Sequence, residues 1–237
     1  MRYSMRRTTA TLLLDLRRQA TGGFWLVALL VGLIVAGVLR GMDAEPTRWW
    51  PVIVVSELTV TCFYFAAVQV LLERGEGTLA ARAVTPLRED EYLAALAASL
   101  SLLALAETTV LVMVGGETAP RWPAFVAGVL ALSVLQVLYG VIAVAGYDSS
   151  AAFLLPSGVW TLVFAVPMLP FLGLPGGWWL WLHPLQPAVV LVEVAFDQVR
   201  PLQALPAVVA AVAWSAAGMV VARLRLRGIV VAAGRQS

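Results

Sequence analysis

The chain has 237 residues, of which 61% are hydrophobic and 13% charged, with a formal net charge of +2. Soluble domains run near a quarter charged, so this composition excludes an ordinary soluble fold. All 16 basic residues are arginine, which excludes a phosphate-binding loop of the form G-x-x-x-x-G-K-[ST], and the single cysteine, Cys62, excludes a disulfide framework.

The first periodic segment is TTATLLLDLRRQATGGFW. Leu12, Leu13, Leu16 and Ala20 fall on one helical face, and Thr11, Asp15 and Arg18 on another. That pattern predicts an amphipathic helix lying along the membrane surface, its arginines Arg17 and Arg18 near anionic headgroups. Gly22 and Gly23 then permit a sharp turn into the first apolar run.

Six runs have about the twenty residues needed to cross a hydrocarbon core of roughly 30 Å. They cover about residues 23–39, 49–72, 93–114, 123–145, 151–174 and 205–224. Five spans follow the first, and no small-residue cleavage site precedes them, so the first is not read as a signal peptide. The expected fold is an all-α polytopic membrane protein, with residues 1–237 forming one transmembrane domain.

Arginine placement sets the expected orientation. One side collects Arg2, Arg6, Arg7, Arg17, Arg18, Arg74, Arg82, Arg88, Arg223, Arg225, Arg227 and Arg235, and the other keeps Arg40, Arg48, Arg121 and Arg200. The positive-inside rule makes the first side cytoplasmic, with both termini on it. These arginines sit at span ends, so the basic balance points to no nucleic-acid partner.

Two acids lie well inside the spans, Glu57 in the second and Glu107 in the third. Each is roughly 11–12 Å below the outer end of its helix, at 1.5 Å per residue. Carboxylates at such depth cost about 2.5–3.5 kcal/mol on insertion scales and usually face protein or a watery cavity. They are candidates for a substrate path taking amphipathic or cationic compounds, with Phe63, Tyr64 and Trp160 as aromatic contacts. The competing structural reading bonds them to Thr59, Thr61, Thr108 or Thr109 within the bundle.

Between the second and third spans stands LLERGEGTLAARAVTPLREDEY, residues 71–92. Gly75 and Gly77 break the preceding helix, Thr78 to Val84 can form a short transverse one, and Pro86 stops it. Glu89, Asp90 and Glu91 then favour the N-terminal dipole of the third span.

Later signals are weaker. Tyr147 and Asp148 read as a short turn between the fourth and fifth spans. Residues 175–201 could be counted as a seventh span, but that would carry the arginines at 223–235 to the far side. Gln186, Glu193, Asp197 and Arg200 fit one polar helical stripe, and Trp178, Trp179 and Trp181 suit the headgroup level. The segment is expected to be an external interfacial or re-entrant element. His183 stands there without metal-ligand spacing around it. In the last span, Ala213 and Ala217, with Ala211 and Ser215 alongside, form a small-residue face suited to close helix packing at a subunit interface.

The order Glu73-Arg74, Gly77-Thr78-Leu79, Thr85-Pro86-Leu87-Arg88 and Glu91-Tyr92-Leu93 resembles the first cytoplasmic loop of six-span ATP-binding-cassette exporter permeases. ERGEGTL followed by VTPLR is most similar to the fluoroquinolone-export type. The resemblance extends to Asp15-Leu16-Arg17, the six spans and the external element, though Ala94-Ala95 stands where many relatives carry a glycine-lysine pair. It implies a non-catalytic permease subunit that moves hydrophobic or amphipathic compounds, drugs among them, out of the cell across the bacterial cytoplasmic membrane. ATP and magnesium would be bound by a separate ATPase subunit, with no cofactor or metal in this chain. A second copy or a related permease would complete the pathway within the lipid membrane. The implied ATPase-coupling residues are Glu73, Arg74, Gly75, Glu76, Gly77, Thr78, Leu79, Arg82, Thr85, Pro86 and Arg88, with the surface helix of Leu12, Asp15, Leu16, Arg17 and Arg18 beside them. The rival expectations are a proton-coupled multidrug transporter using Glu57 and Glu107, and a membrane scaffold that transports nothing. An intramembrane enzyme is disfavoured, since no Ser/His, Asp/Asp or His-cluster constellation falls at helical spacing.

Overall fold

The computed structural model describes residues 2–41, 46–82, 87–116 and 119–233. Surface helix α1 (Arg2–Thr21) leads through Gly23, whose φ is +75°, into α2 (Phe24–Gly41). Then come α3 (Thr47–Gly75), the short α4 (Thr78–Arg82), α5 (Glu89–Gly115), α6 (Trp122–Val144) and α7 (Ser150–Leu172). Helix α8 (Gln186–Ala195) and the long α9 (Ala204–Ala233) complete the chain. Among the described residues six helices, α2, α3, α5, α6, α7 and α9, are long and apolar enough to cross a membrane. The protein is therefore an all-helical, multi-pass membrane protein, as its hydropathy predicts.

The six spans are not equivalent. Those of α3, α5 and α6 bury 61%, 56% and 61% of their most apolar window, against 17%, 28% and 17% for α2, α7 and α9. Three central helices thus carry the core, and three peripheral ones show apolar side chains such as Leu26, Leu155 and Leu205 to lipid. Helix α2 approaches α5 through Ala28, Gly32 and Ala36, the small side chains four apart that let helices come close in a bilayer. On α6, glycine is needed twice. A Cβ at Gly140 would stand 2.5 Å from the Phe63 carbonyl oxygen, and one at Gly128 would stand 2.9 Å from a Val192 methyl.

Cross-links sort the helix ends into two groups. At one end Arg18 meets Glu73, Arg74 meets Asp148, Arg223 meets Asp90 and Arg227 meets Glu89. At the other end Arg121 meets Asp197, the Arg121 amide donates to the Ala195 carbonyl, Gln198 Nε2 donates to the Thr47 carbonyl, and Trp50 stacks on Phe196. The arginine-rich side expected from sequence is thus one physical end of the bundle.

The segment 175–201 leaves α7 and returns to the same end, where Arg48 donates to the Phe171 carbonyl and the Ala195 and Gln198 bonds lie. It does not cross. Helix α8 packs between α6 and α9 with most of its residues buried. The polar stripe expected along it does not form, because the helix ends at Ala195 and Asp197 takes a left-handed φ of +57°. The apolar run from Pro187 to Val192 is instead absorbed into the core. Trp178, Trp179 and Trp181 remain exposed, as residues of the interface would be.

Candidate functional site

The arginine-rich end is organised around Glu73. It lies in the last turns of α3 with 1% of its surface exposed. One oxygen accepts from Arg18 Nη1 of α1 at 3.0 Å and the other from the Tyr92 hydroxyl of α5 at 3.0 Å. Thr78 Oγ1, at the first residue of α4, donates to the Glu73 carbonyl at 3.0 Å. A single residue therefore joins the surface helix, two spans and the short helix between them. The charge is tolerable there because a buried carboxylate with a cation and a hydroxyl donor is paired and hydrogen-bonded.

Helix α1 adds two more ties. Gln69 Nε2 of α3 donates to Asp15 at 3.3 Å, and Gln19 Nε2 donates to Ser99 Oγ of α5 at 2.9 Å. Thr11, Asp15 and Gln19, four residues apart, form the face that docks on the bundle, while Leu13 and Leu14 are each 61% exposed. The sequence reading puts Thr11 and Asp15 on a face apart from the leucines, groups Arg18 with them, and assigns that face no partner in the bundle. In the structure it is the docking face, because its groups find partners on α3 and α5 and the leucines can dissolve in lipid.

The expected coupling residues divide accordingly. Glu73 faces inward, and Leu79, 1% exposed, packs into the core instead of standing out as an apolar anchor. Arg74 donates to the Tyr147 carbonyl at 3.0 Å and pairs with Asp148, so the turn between α6 and α7 occupies it. Gly75, Glu76 and Arg88 are exposed, Thr78 is half-buried, and Gly77 has the φ of +70° expected of a hinge. Arg82 ends α4, its side chain lying outside what the structure describes; Thr85 and Pro86 lie outside the described residues. Glu89, Asp90 and Glu91 occupy the first turn of α5, where the Arg88 amide donates to Glu91 Oε2 at 3.1 Å.

The five path candidates form two groups. Glu57 and Glu107 are neighbours in the interior, and Thr61 Oγ1 donates to Glu107 Oε2 at 2.5 Å. Of the four threonines considered, Thr61 is the one so used. Among the described residues neither has an ion-pair partner, and Glu57 Oε2 and Glu107 Oε1 accept no hydrogen bond. Gly32 of α2 closes over the pair, a Cβ there standing 3.4 Å from Glu107 Cγ.

Phe63, Tyr64 and Trp160 form the second group, with Phe63 ringed by Tyr64, Phe153, Trp160 and Phe164. The Tyr64 hydroxyl meets Thr161 Oγ1 at 3.1 Å and accepts from Ser157 Oγ at 3.2 Å. Both groups hang on one local feature, a π-helical turn at Thr59–Tyr64 within α3. Such turns are frequent at functional sites. Gln136 of α6 supports this one by donating to Thr59 Oγ1 at 3.1 Å. His183, as expected, has a local role: its Nδ1 accepts from the Leu185 amide.

Sequence reasoning misses Gln19, Gln69 and Ser99, quotes Tyr92 only within the loop motif, and reads Tyr147 and Asp148 only as a turn. Of the three missed, Gln19 left a signal, as the third member of the stripe begun by Thr11 and Asp15.

Comparison with known proteins bears on the whole of this arrangement. Residues 6–234 match the fluoroquinolones export permease protein family. Fluoroquinolones export permease proteins from two strains of Mycobacterium tuberculosis, CDC 1551 / Oshkosh and ATCC 25618 / H37Rv, are each 30% identical to the chain over 205 residues, covering 82% of it and 83% of each relative.

Proposed function

Because the chain belongs to the fluoroquinolones export permease protein family, we propose that it is the membrane-spanning half of an ATP-driven exporter, powered by a separate ATPase subunit that binds ATP and magnesium. The observation that carries this reading is the Glu73 junction. A partner pressing on α4 moves the spans only if α4 is rigidly attached to them, and closure of two ATPase subunits does work only if it favours one span arrangement. The bonds from Thr78, Arg18 and Tyr92 to Glu73 supply that attachment. The exposed Glu76 and Arg88 are the charges left to meet the ATPase.

In this reading the arginine-rich end is cytoplasmic and both termini lie there, in the cytoplasmic membrane of a bacterium. A second copy, or a related permease, completes the pathway. The cargo is a hydrophobic or amphipathic compound, in keeping with the drug class for which the relatives are named. Phe63, Tyr64 and Trp160 are its proposed contacts.

The proton-coupled alternative is favoured by one observation, the neighbouring buried residues Glu57 and Glu107, which have no ion-pair partner among the described residues. Inside-out vesicles containing the permease and its ATPase separate the two. Fluoroquinolone uptake should require ATP and persist when the proton gradient is collapsed. Uptake that fails with the gradient but survives without ATP would give the function to the carboxyl pair.

A further inference from the structure

Beside the Glu73 junction lies a second feature, which shares Glu76 with the surface proposed to meet the ATPase. A cavity of about 230 Å³ opens between α1, the start of α2 and the end of α3, lined among others by Arg18, Gln19, Phe24, Leu72, Glu73 and Glu76. Gln19 is 1% exposed, its amide nitrogen is used on Ser99, and its carbonyl oxygen Oε1 accepts no hydrogen bond. That oxygen is shielded from the cavity, so a donor entering the cavity meets its exposed groups first.

Charge narrows the donor. Arg18 and Glu73 offset one another as an ion pair, which leaves the exposed carboxylate of Glu76 as the net charge of the cavity wall. The complement is a cationic N–H donor. Arg18 is half exposed and keeps further N–H groups beyond the one on Glu73, so an anionic oxygen can be held beside that cation. Phe24 and Leu72, the latter 50% exposed, supply an apolar wall. The cavity sits where a surface helix meets the ends of two spans, the level at which lipid headgroups lie.

We propose that this cavity is a binding site for the headgroup of an aminophospholipid, its primary ammonium held by Glu76, its phosphate by Arg18 and its acyl chains along Phe24 and Leu72. Phosphatidylethanolamine is the probe. Its ammonium offers three N–H donors, whereas the trimethylammonium of phosphatidylcholine offers none.

The test is lipid binding to the purified full-length permease in detergent, measured by titration with short-chain phosphatidylethanolamine, phosphatidylcholine and free phosphoethanolamine, without ATPase or substrate. The ethanolamine lipid should bind roughly tenfold tighter than the choline lipid, the worth of one charge-assisted hydrogen bond. Glu76→Gln, at an exposed position, should reduce that preference to about twofold or less. Equal binding of the two lipids, or a preference that survives Glu76→Gln, would overturn the site. Phosphoethanolamine binding as tightly as the lipid would overturn the lipid assignment. None of these outcomes depends on how transport is powered.

Discussion

Helix α3 carries two buried carboxylates whose surroundings are opposite. Glu73, in the last turns of the helix, meets a guanidinium and a phenol. Glu57, sixteen residues earlier and roughly 24 Å up the helix, neighbours another carboxyl group and has no ion-pair partner among the described residues. The first arrangement is a tie that stays closed, because breaking it strands a charge in the interior. The second has one hydrogen bond, from Thr61, and lies beside an irregular turn of the helix. One helix thus carries a paired, tied carboxylate at the membrane edge and a sparsely bonded carboxyl pair at its centre, the contrast on which the proposed coupling to a partner rests.

The comparison can be broken by substitution, and thermal unfolding of the purified permease in detergent reads the result. Glu73→Ala should have the largest effect, a loss of about 3 kcal/mol. That is the lower end for removing one member of a buried pair, since Arg18 is half exposed. Gly140→Val should cost about 2 kcal/mol by driving a side chain into the Phe63 carbonyl at the π turn, a packing effect independent of charge. Glu107→Gln should change stability by less than about 1 kcal/mol, because the amide oxygen still accepts from Thr61. If Glu107→Gln instead destabilised the protein more than Glu73→Ala, the two carboxylates would have to exchange roles. The smallest effect is expected from Arg227→Ala, under about 1 kcal/mol and diminishing with salt, since its pair with Glu89 is substantially solvated.

The six spans were legible in the sequence because their length and hydropathy are local properties, and their order and approximate limits follow from them. The glycine hinge at Gly77 and the turn at Gly23 were legible for the same reason, and both have positive φ. The partners of the polar residues were not. Arg18 reaches Glu73 across 55 positions and Gln19 reaches Ser99 across 80, separations that no periodicity records. Arg74 has the look of a free docking cation until the turn at Tyr147 and Asp148 is seen against it. Leu79, expected among the coupling residues, is buried, and a five-residue helix gives too little pattern to tell its buried face from its exposed one. In α8, four polar residues suggested a stripe, but the helix stops before the last two of them join it.

The most direct measurement is a double-mutant cycle between Arg18 and Glu73 in the full-length permease, using Arg18→Ala and Glu73→Gln. A rigid junction predicts a coupling energy of at least about 1 kcal/mol in unfolding, and loss of ATP-driven export in either single variant. Effects that add to within about 0.5 kcal/mol, with export intact, would mean that the surface helix is not fastened to the spans at this residue.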